Sequence, residues 1–180
     1  MSAAQPARLD ADGTVRGYAS LFDRPDNGGD RVERGAFRRS LLRRGAAGIR
    51  MLWQHDPARP IGVWTRLAED QVGLFAEGRL ALQSGAGREA FELLRAGAID
   101  GLSIGFHTRR SAPVHDGRAR RSLVELDLWE ISIVTFPMQE AARVTQTRSR
   151  TLPARDLSLR LVEAARRLLL PPLAPPLAAR

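Results

Sequence analysis

Residues 96–110 read AGAIDGLSIGFHTRR, and the order of the elements around this stretch decides the fold. Within it, residues 101–105 match G-x-S-x-G, the pattern that puts a nucleophilic serine on a strand-to-helix turn in α/β-hydrolases. Here the order is reversed, because an amphipathic helix is predicted over 87–98 and strand-like sequence follows the pattern. The sequence therefore excludes that turn, but it keeps Ser103 as a candidate nucleophile.

The rest of the first 145 residues is predicted to be mostly strand. Residues 14–22 alternate as a strand, 35–45 form a short helix, and two apolar runs form a hairpin around Asp70 and Gln71. Residues 120–137 read RRSLVELDLWEISIVTFP, which is apolar on both faces and indicates a central, buried strand. No regular alternation of strands and helices is visible, so we predict a mainly β fold with flanking helices, of the α+β class.

Beyond this region the composition changes. Residues 146–180 are predicted to contain a polar linker, an amphipathic helix over 156–170 and a proline-rich tail that cannot continue a helix. We therefore divide the chain into a domain over 1–145 and a tail over 146–180.

Composition excludes several classes of protein. The 180 residues include no cysteine, which rules out disulfides, thiolate zinc sites and cysteine nucleophiles. No apolar run approaches the length of about 18 residues that a membrane-spanning helix needs. The net charge is +8, but aromatic residues make up only 6% of the chain. A small nucleic-acid-binding barrel would need aromatics interleaved with the arginines, so a specific nucleic-acid ligand is not expected.

A serine nucleophile needs a base, and the sequence offers three histidines. His55 follows the strand-like run IRMLW and precedes a proline-containing segment, HDPARP, that predicts a rigid loop. His107 lies four strand residues beyond Ser103, about 13 Å away at ordinary strand rise. His115 lies in a turn and is expected to be exposed. On spacing alone, Ser103 also fits a small polar residue at a strand start, and His55 fits a loop histidine beside Asp56.

Glu130 is the acid that most needs an explanation. It lies in the middle of the predicted buried strand, where a carboxylate is costly unless it is paired. It could orient a histidine, or it could pair with one of the many arginines. The residues alone leave both alternatives open.

Four segments together resemble the tailed-phage prohead protease family, and the resemblance covers about residues 14–145. They occur in the family's order as RGYASLFDRPDNGGDRVERGAF, MLWQHDPARPIGVW, LLRAGAIDGLSIGF and LDLWEISIVTFPMQEAARV. Four ordered blocks are far more specific than the G-x-S-x-G pentapeptide.

The resemblance implies an antiparallel β-barrel of the herpesvirus-assemblin type, surrounded by helices. It also implies a serine endopeptidase in which His55 and Ser103 occupy the family's catalytic positions. Assemblins use a second histidine as the third member of the triad, and here the matching strand offers Glu130. His107 and His115 are weaker candidates for that role. No metal or organic cofactor is needed for this chemistry.

The resemblance further implies the partners. The family's substrate is the scaffold, or the scaffolding segment of the major capsid protein, cut inside the assembling prohead in the cytoplasm of the bacterial host. Such proteases often cut themselves as well. The helix over 156–170 could dock on scaffold or capsid protein, or pack on the core or on a second copy in a homodimer. The alternative is a non-catalytic module for capsid assembly or scaffold binding, and the presence of both His55 and Ser103 favours the enzyme.

Overall fold

The computed structural model describes residues 10–115 and 117–144. Within them the chain forms, in order, β1 (Thr14–Leu21), β2 (Asp30–Val32), α1 (Arg38–Arg44), β3 (Arg50–Trp53), β4 (Asp56–Glu69), β5 (Gly73–Leu80), α2 (Gly85–Ala96), β6 (Gly101–Pro113) and β7 (Arg121–Val134). The mainly β prediction with flanking helices is confirmed. The predicted linker, helix and proline-rich tail over 146–180 lie outside the described residues.

One sheet contains all of these strands. It runs β1-β5-β4-β3-β7, with β6 on the other edge of β7 and β2 beside the first residues of β7. The strand β7 therefore pairs with three others, which confirms its predicted central place. The sheet curls into a half-barrel, and the segment 143–144 joins its far strands, because Val144 bridges to Gly17 of β1 and Arg143 bridges to Gly101 of β6.

The expected antiparallel barrel is only partly correct. Most pairs are antiparallel, but β2 and β3 both run parallel to β7, so the sheet is mixed. A parallel pair needs a crossover connection rather than a tight turn. The long excursion through β4, β5, α2 and β6 supplies that connection between β3 and β7.

The expected rigid loop over HDPARP is also wrong. Instead, β4 begins at Asp56 and runs through Pro57 and Pro60 without interruption. Proline cannot donate a backbone hydrogen bond, so within sheets it is confined to edges, strand starts and bulges. The pairing of β3 with β4 shifts register on both sides of Leu52, and these irregularities accommodate the prolines.

The helix α2 forms where its periodicity predicts, and both of its ends are capped. The Ser84 hydroxyl accepts a hydrogen bond from the Gly87 N–H at 3.0 Å, and Gly97 ends the helix with φ +73°. Its buried side chains Ala90 and Leu94 pack into the core. The predicted helix is thereby confirmed, and it delivers the chain to the start of β6.

The short helix α1 is fastened to β7 by polar contacts. The Ser40 hydroxyl donates to the Leu128 carbonyl and accepts from the Leu128 N–H, at 3.0 and 2.9 Å. The buried Asp127 carboxylate binds Arg43 and Arg44 from this helix and Arg109 from β6. The hydrogen bond from Arg109 lowers the pKa of Asp127 to about 2, so this carboxylate stays charged at neutral pH.

The core consists of buried side chains from the strands, from both helices and from the segments between them. Its largest fully buried side chains are Trp64, Phe37, Ile49, Met51, Ile61, Leu74, Leu94, Leu102, Leu123, Leu126, Leu128 and Ile131. No helix of residues 10–115 and 117–144 has the length and apolar character to cross a membrane.

Candidate active site

Ser103 is the third residue of β6 and lies directly opposite Ser132 of β7. The residue is buried, with 5% of its surface exposed. The helix-then-strand context that the sequence predicted around this serine is confirmed by α2 and β6. The turn of an α/β-hydrolase is therefore absent here, and Ser103 belongs to a regular strand pair.

Both glycines of the pentapeptide are required by close approach to β7. A Cβ atom at Gly101 would lie 2.5 Å from the Val134 carbonyl oxygen. At Gly105, which is opposite Glu130, a Cβ atom would lie 2.1 Å from the Glu130 Oε1. The Glu130 side chain thus lies across the bare backbone of Gly105, on the strand that carries Ser103.

His55 lies in the two-residue turn that joins β3 to β4. The turn consists of Gln54 and His55, with φ +53° and +62°, and the flanking Trp53 and Asp56 pair with each other. Two positive φ angles are what a type I′ hairpin turn requires, and glycine or asparagine usually provides them. The sequence predicted a strand ending before His55 but not this turn, because neither Gln54 nor His55 is a typical residue for it.

Hydrogen bonds from β7 and the residue after it hold this turn. The Gln54 N–H donates to the Ile133 carbonyl at 3.0 Å. The Gln54 side-chain amide exchanges two hydrogen bonds with Thr135, at 2.8 and 3.2 Å. The His55 N–H donates to the Ser132 Oγ at 3.1 Å. These bonds hold a turn that has two positive φ angles and no glycine against β7, the strand that pairs with the Ser103 strand.

The Glu130 carboxylate is bound by His55. The Nδ1 atom of His55 lies 2.6 Å from Glu130 Oε1, and the Ser132 hydroxyl donates to Glu130 Oε2 at 2.6 Å. The carboxylate side chain is 6% exposed, whereas the imidazole is 43% exposed. Of the two partners that the sequence left open for Glu130, the structure gives it the histidine. With a carboxylate on Nδ1, the proton is held there and Nε2 is left to act as a base.

The register brings these side chains to one face of the β6–β7 pair. Glu130 and Ser132 are two residues apart on one strand, and Ser103 is opposite Ser132, so their Cβ atoms share a face. Directly opposite Cβ atoms in such a pair are about 5 Å apart. Among the described residues Ser103 and His55 make no direct hydrogen bond. Catalytic hydrogen bonds are often long without substrate and tighten when it binds.

The other two histidines lie elsewhere. The His107 ring stacks on the exposed Trp129, with the ring centroids 5.2 Å apart, and His115 is exposed beyond the end of β6. Neither contacts Glu130. In residues 10–115 and 117–144, no group of three or more acidic, histidine or cysteine side chains is placed to hold a metal ion.

Ser132, Gln54 and Thr135 are the site residues that the sequence interpretation missed. A signal for Ser132 was available, since it follows Glu130 by two residues in a predicted strand and must share its face. No comparable signal identified Gln54 or Thr135, because their contact depends on the parallel pairing of β3 with β7.

A cavity of about 180 Å³ adjoins Ser103. Its walls are mainly apolar and include Ala19, Leu102, Ile104, Phe106 and Met138. An apolar cavity of about 150 Å³ can hold a benzene molecule, so this one has room for a single large side chain.

Replacing Gly105 by alanine will disturb the site without changing any of its polar groups. The new Cβ would lie 2.1 Å from Glu130 Oε1 and 2.7 Å from its Cγ and Cδ, so the whole carboxylate must move away from His55. A displacement of 1 Å at a catalytic group can cost about 10²-fold in rate, and we expect a loss of that order in kcat. The kcat of the purified variant, compared with that of the wild type, checks this. The matched control is Gly85→Ala, at an exposed glycine with open space around it and no positive φ, and an equal loss in both variants would contradict the explanation.

Two phage proteins are similar to this chain in sequence. The chain is 31% identical to the prohead protease of Enterobacteria phage HK97 over 140 residues, which cover 76% of this chain and 61% of that protein. It is 30% identical to the capsid polyprotein of Pseudomonas phage PAJU2 over 107 residues, covering 56% of this chain and 16% of that protein. This chain therefore spans less than two thirds of either relative's length.

One solved structure shows the same fold. The capsid assembly protease of bacteriophage T4 superposes with a TM-score of 0.50 at 14% identity, covering 67% of this chain and 80% of that one. The KSHV protease aligns over 90% of this chain and 82% of its own, with a TM-score of 0.44 at 13% identity. The family profile described as caudovirus prohead serine protease matches residues 3–155, and the chain belongs to that family.

Proposed function

We propose that this chain is a serine endopeptidase that cleaves the scaffold, or the scaffolding segment of the major capsid protein, during maturation of a phage-like capsid. The observation that carries the proposal is the 2.6 Å contact between His55 and the buried Glu130, on the face of the sheet that holds Ser103. Membership in the prohead protease family supports the peptidase activity.

In the proposed mechanism, Ser103 is the nucleophile, His55 the general base and Glu130 the residue that orients the base. His55 Nε2 takes the hydroxyl proton as Ser103 Oγ attacks the peptide carbonyl, and the imidazolium then gives that proton to the leaving amine. Water releases the acyl group with the same base. General acid–base catalysis contributes about 10²–10⁴-fold to the rate of such a reaction. Glu130 stabilises the charged imidazole and keeps the neutral ring in the productive tautomer.

The proposed substrate is an extended polypeptide. The cavity beside Ser103 has room for one large side chain of that polypeptide next to the cleaved bond. The capsid polyprotein relative of phage PAJU2 supports capsid protein as the partner, because a segment of that polyprotein is similar to this chain. We place the reaction inside the assembling prohead in the host cytoplasm, and we extend the proposal to cleavage of the protease itself.

The proposal is tested by expressing this chain together with the major capsid protein and the scaffold of the same phage genome. We expect one of the two to be shortened at a single defined bond, measured by intact-mass spectrometry of the assembled shells. In a second assay, the purified protein is incubated with the purified capsid protein and scaffold, and a serine-reactive fluorophosphonate added beforehand should prevent the shortening. Shells that assemble only when this chain is present, yet contain full-length protein, would instead favour the non-catalytic assembly module.

A further inference from the structure

We propose that Ser132 is a positioning residue for the reaction, acting through His55 and Glu130. The inference rests on the proposed function, since it assigns a role within the same site. It comes from one oxygen atom, the Ser132 Oγ, which binds the two residues that must be held in register with Ser103.

The contacts of this hydroxyl use both its donor and its acceptor capacity. Its O–H donates to Glu130 Oε2 at 2.6 Å, and its oxygen accepts from the His55 backbone N–H at 3.1 Å. A serine hydroxyl offers one donor and two acceptor positions, so both bonds form at once. The residue is fully buried, at 0% exposure, and water therefore does not compete for either bond.

Each of the two hydrogen bonds satisfies a polar group for which the other contacts of the site provide no partner. Glu130 Oε1 is taken by His55, and a buried carboxylate with an unbonded second oxygen is costly. His55 has φ +62°, a conformation that residues with a Cβ atom rarely adopt, and Ser132 is the partner of its N–H. The single hydroxyl thus fixes the orientation of the carboxylate and the backbone that carries the imidazole.

The position of Ser132 in the sheet also fixes His55 and Glu130 relative to the proposed nucleophile, Ser103. Ser103 is its direct partner in the antiparallel pair of β6 and β7, and Leu52 is its partner in the parallel pair of β3 and β7. Ser132 therefore connects the strand that bears the nucleophile to the hairpin that bears the base. A loss of its hydroxyl would loosen the imidazole relative to Ser103 while leaving both strand pairs intact.

The test compares Ser132→Ala with Ser40→Ala. Ser40 is the matched control, because it is also a buried serine that makes two hydrogen bonds to β7, at Leu128, away from His55. With the capsid substrate, we expect Ser132→Ala to lower kcat by about 10²-fold, the effect of a misplacement of about 1 Å, with KM changed less than threefold. Ser40→Ala should lower the melting temperature comparably and kcat less than threefold. Equal losses of kcat in the two variants would overturn the proposal.

Two further variants separate positioning from stability. Ser132→Thr retains the hydroxyl and should recover most of the lost kcat. Ser132→Cys replaces the hydroxyl with a somewhat larger group that is only a weak donor and acceptor, and its kcat should stay close to that of Ser132→Ala. If Ser132→Cys is as active as the wild type, the two hydrogen bonds are not needed and the proposal is wrong.

A measurement without substrate distinguishes this proposal from the proposed function. Nitrogen-15 NMR of the imidazole, assigned with His55→Gln, reports which ring nitrogen carries the proton. The wild type and Ser40→Ala should show the Nδ1–H form, and Ser132→Ala should show a mixture of tautomers. An unchanged spectrum for Ser132→Ala would overturn the positioning role even in a protein that cleaves capsid protein. If Ser132→Ala changes the spectrum but the wild type cleaves no substrate, the proposed function is contradicted and the positioning role is not.

Discussion

Ser103→Ala will fold normally and lose about 10⁶-fold in kcat, the scale of effect seen when a nucleophile is removed from a serine protease. The change removes one oxygen from a residue whose side chain makes no hydrogen bond within the described part of the chain. Its cost in stability should therefore be small, whereas no acyl-enzyme can form without the Oγ atom. The measurement is the mass of the co-expressed capsid protein or scaffold, with the melting temperature of the purified variant as the test of folding.

The matched control for this variant is Ser111→Ala. Ser111 lies on the same strand, is exposed and pairs with Leu123, far along β7 from Glu130. The Ser111→Ala variant should process the substrate at the wild-type rate. Continued processing by Ser103→Ala would move the nucleophile elsewhere, and loss of processing in both variants would mean that the strand rather than the hydroxyl is needed.

Glu130→Gln will lower kcat by about 10⁴-fold while the protein stays folded. The corresponding carboxylate-to-amide change in a serine protease triad has an effect of that size, because the histidine is held in the wrong tautomer. Here the neutral amide fits the same space above Gly105 and can still accept from Ser132. It cannot stabilise the imidazolium, and its NH₂ group can donate to Nδ1, which shifts the proton of the neutral ring to Nε2. Single-turnover assays on the capsid substrate measure the loss.

Glu125→Gln is the matched control for this carboxylate. Glu125 is also on β7, and its carboxylate pairs with Arg39 of α1 at 3.3 Å. Removing such an exposed ion pair changes stability by about 1 kcal/mol or less, and the rate should not change. If Glu130→Gln keeps the wild-type rate, the third catalytic role belongs to another residue.

The sequence alone was sufficient to predict the elements whose hydrophobic periodicity is strong. The apolar face of α2, the run of residues in β7 that is apolar on both sides, and the turn signal at Asp70 each led to an element that the structure contains. The cost of burying Glu130 also pointed to a partner for it, because that cost follows from the chemistry of one residue.

Contacts between residues far apart in the chain could not be predicted from the sequence. The turn at Gln54 and His55 has positive φ angles without glycine, and it is stabilised by Ser132 and Thr135, which lie about 80 positions later in the chain. Likewise, the parallel pairing of β3 with β7 depends on a crossover and leaves no local pattern. Pro57 and Pro60 predicted a loop because their effect on a strand depends on whether its neighbour can shift register.

The two glycines that flank Ser103 have a consequence for pattern searching. In the hydrolase elbow, the glycines of this motif permit a sharp reversal of the chain. In this sheet, Gly101 clears the way for the Val134 carbonyl and Gly105 makes room for an acidic side chain. The same five-residue motif thus arises from unrelated steric requirements. A search with the pentapeptide alone would therefore return proteins of both folds. Adding a helix upstream and a glutamate 27 positions after the serine would separate them.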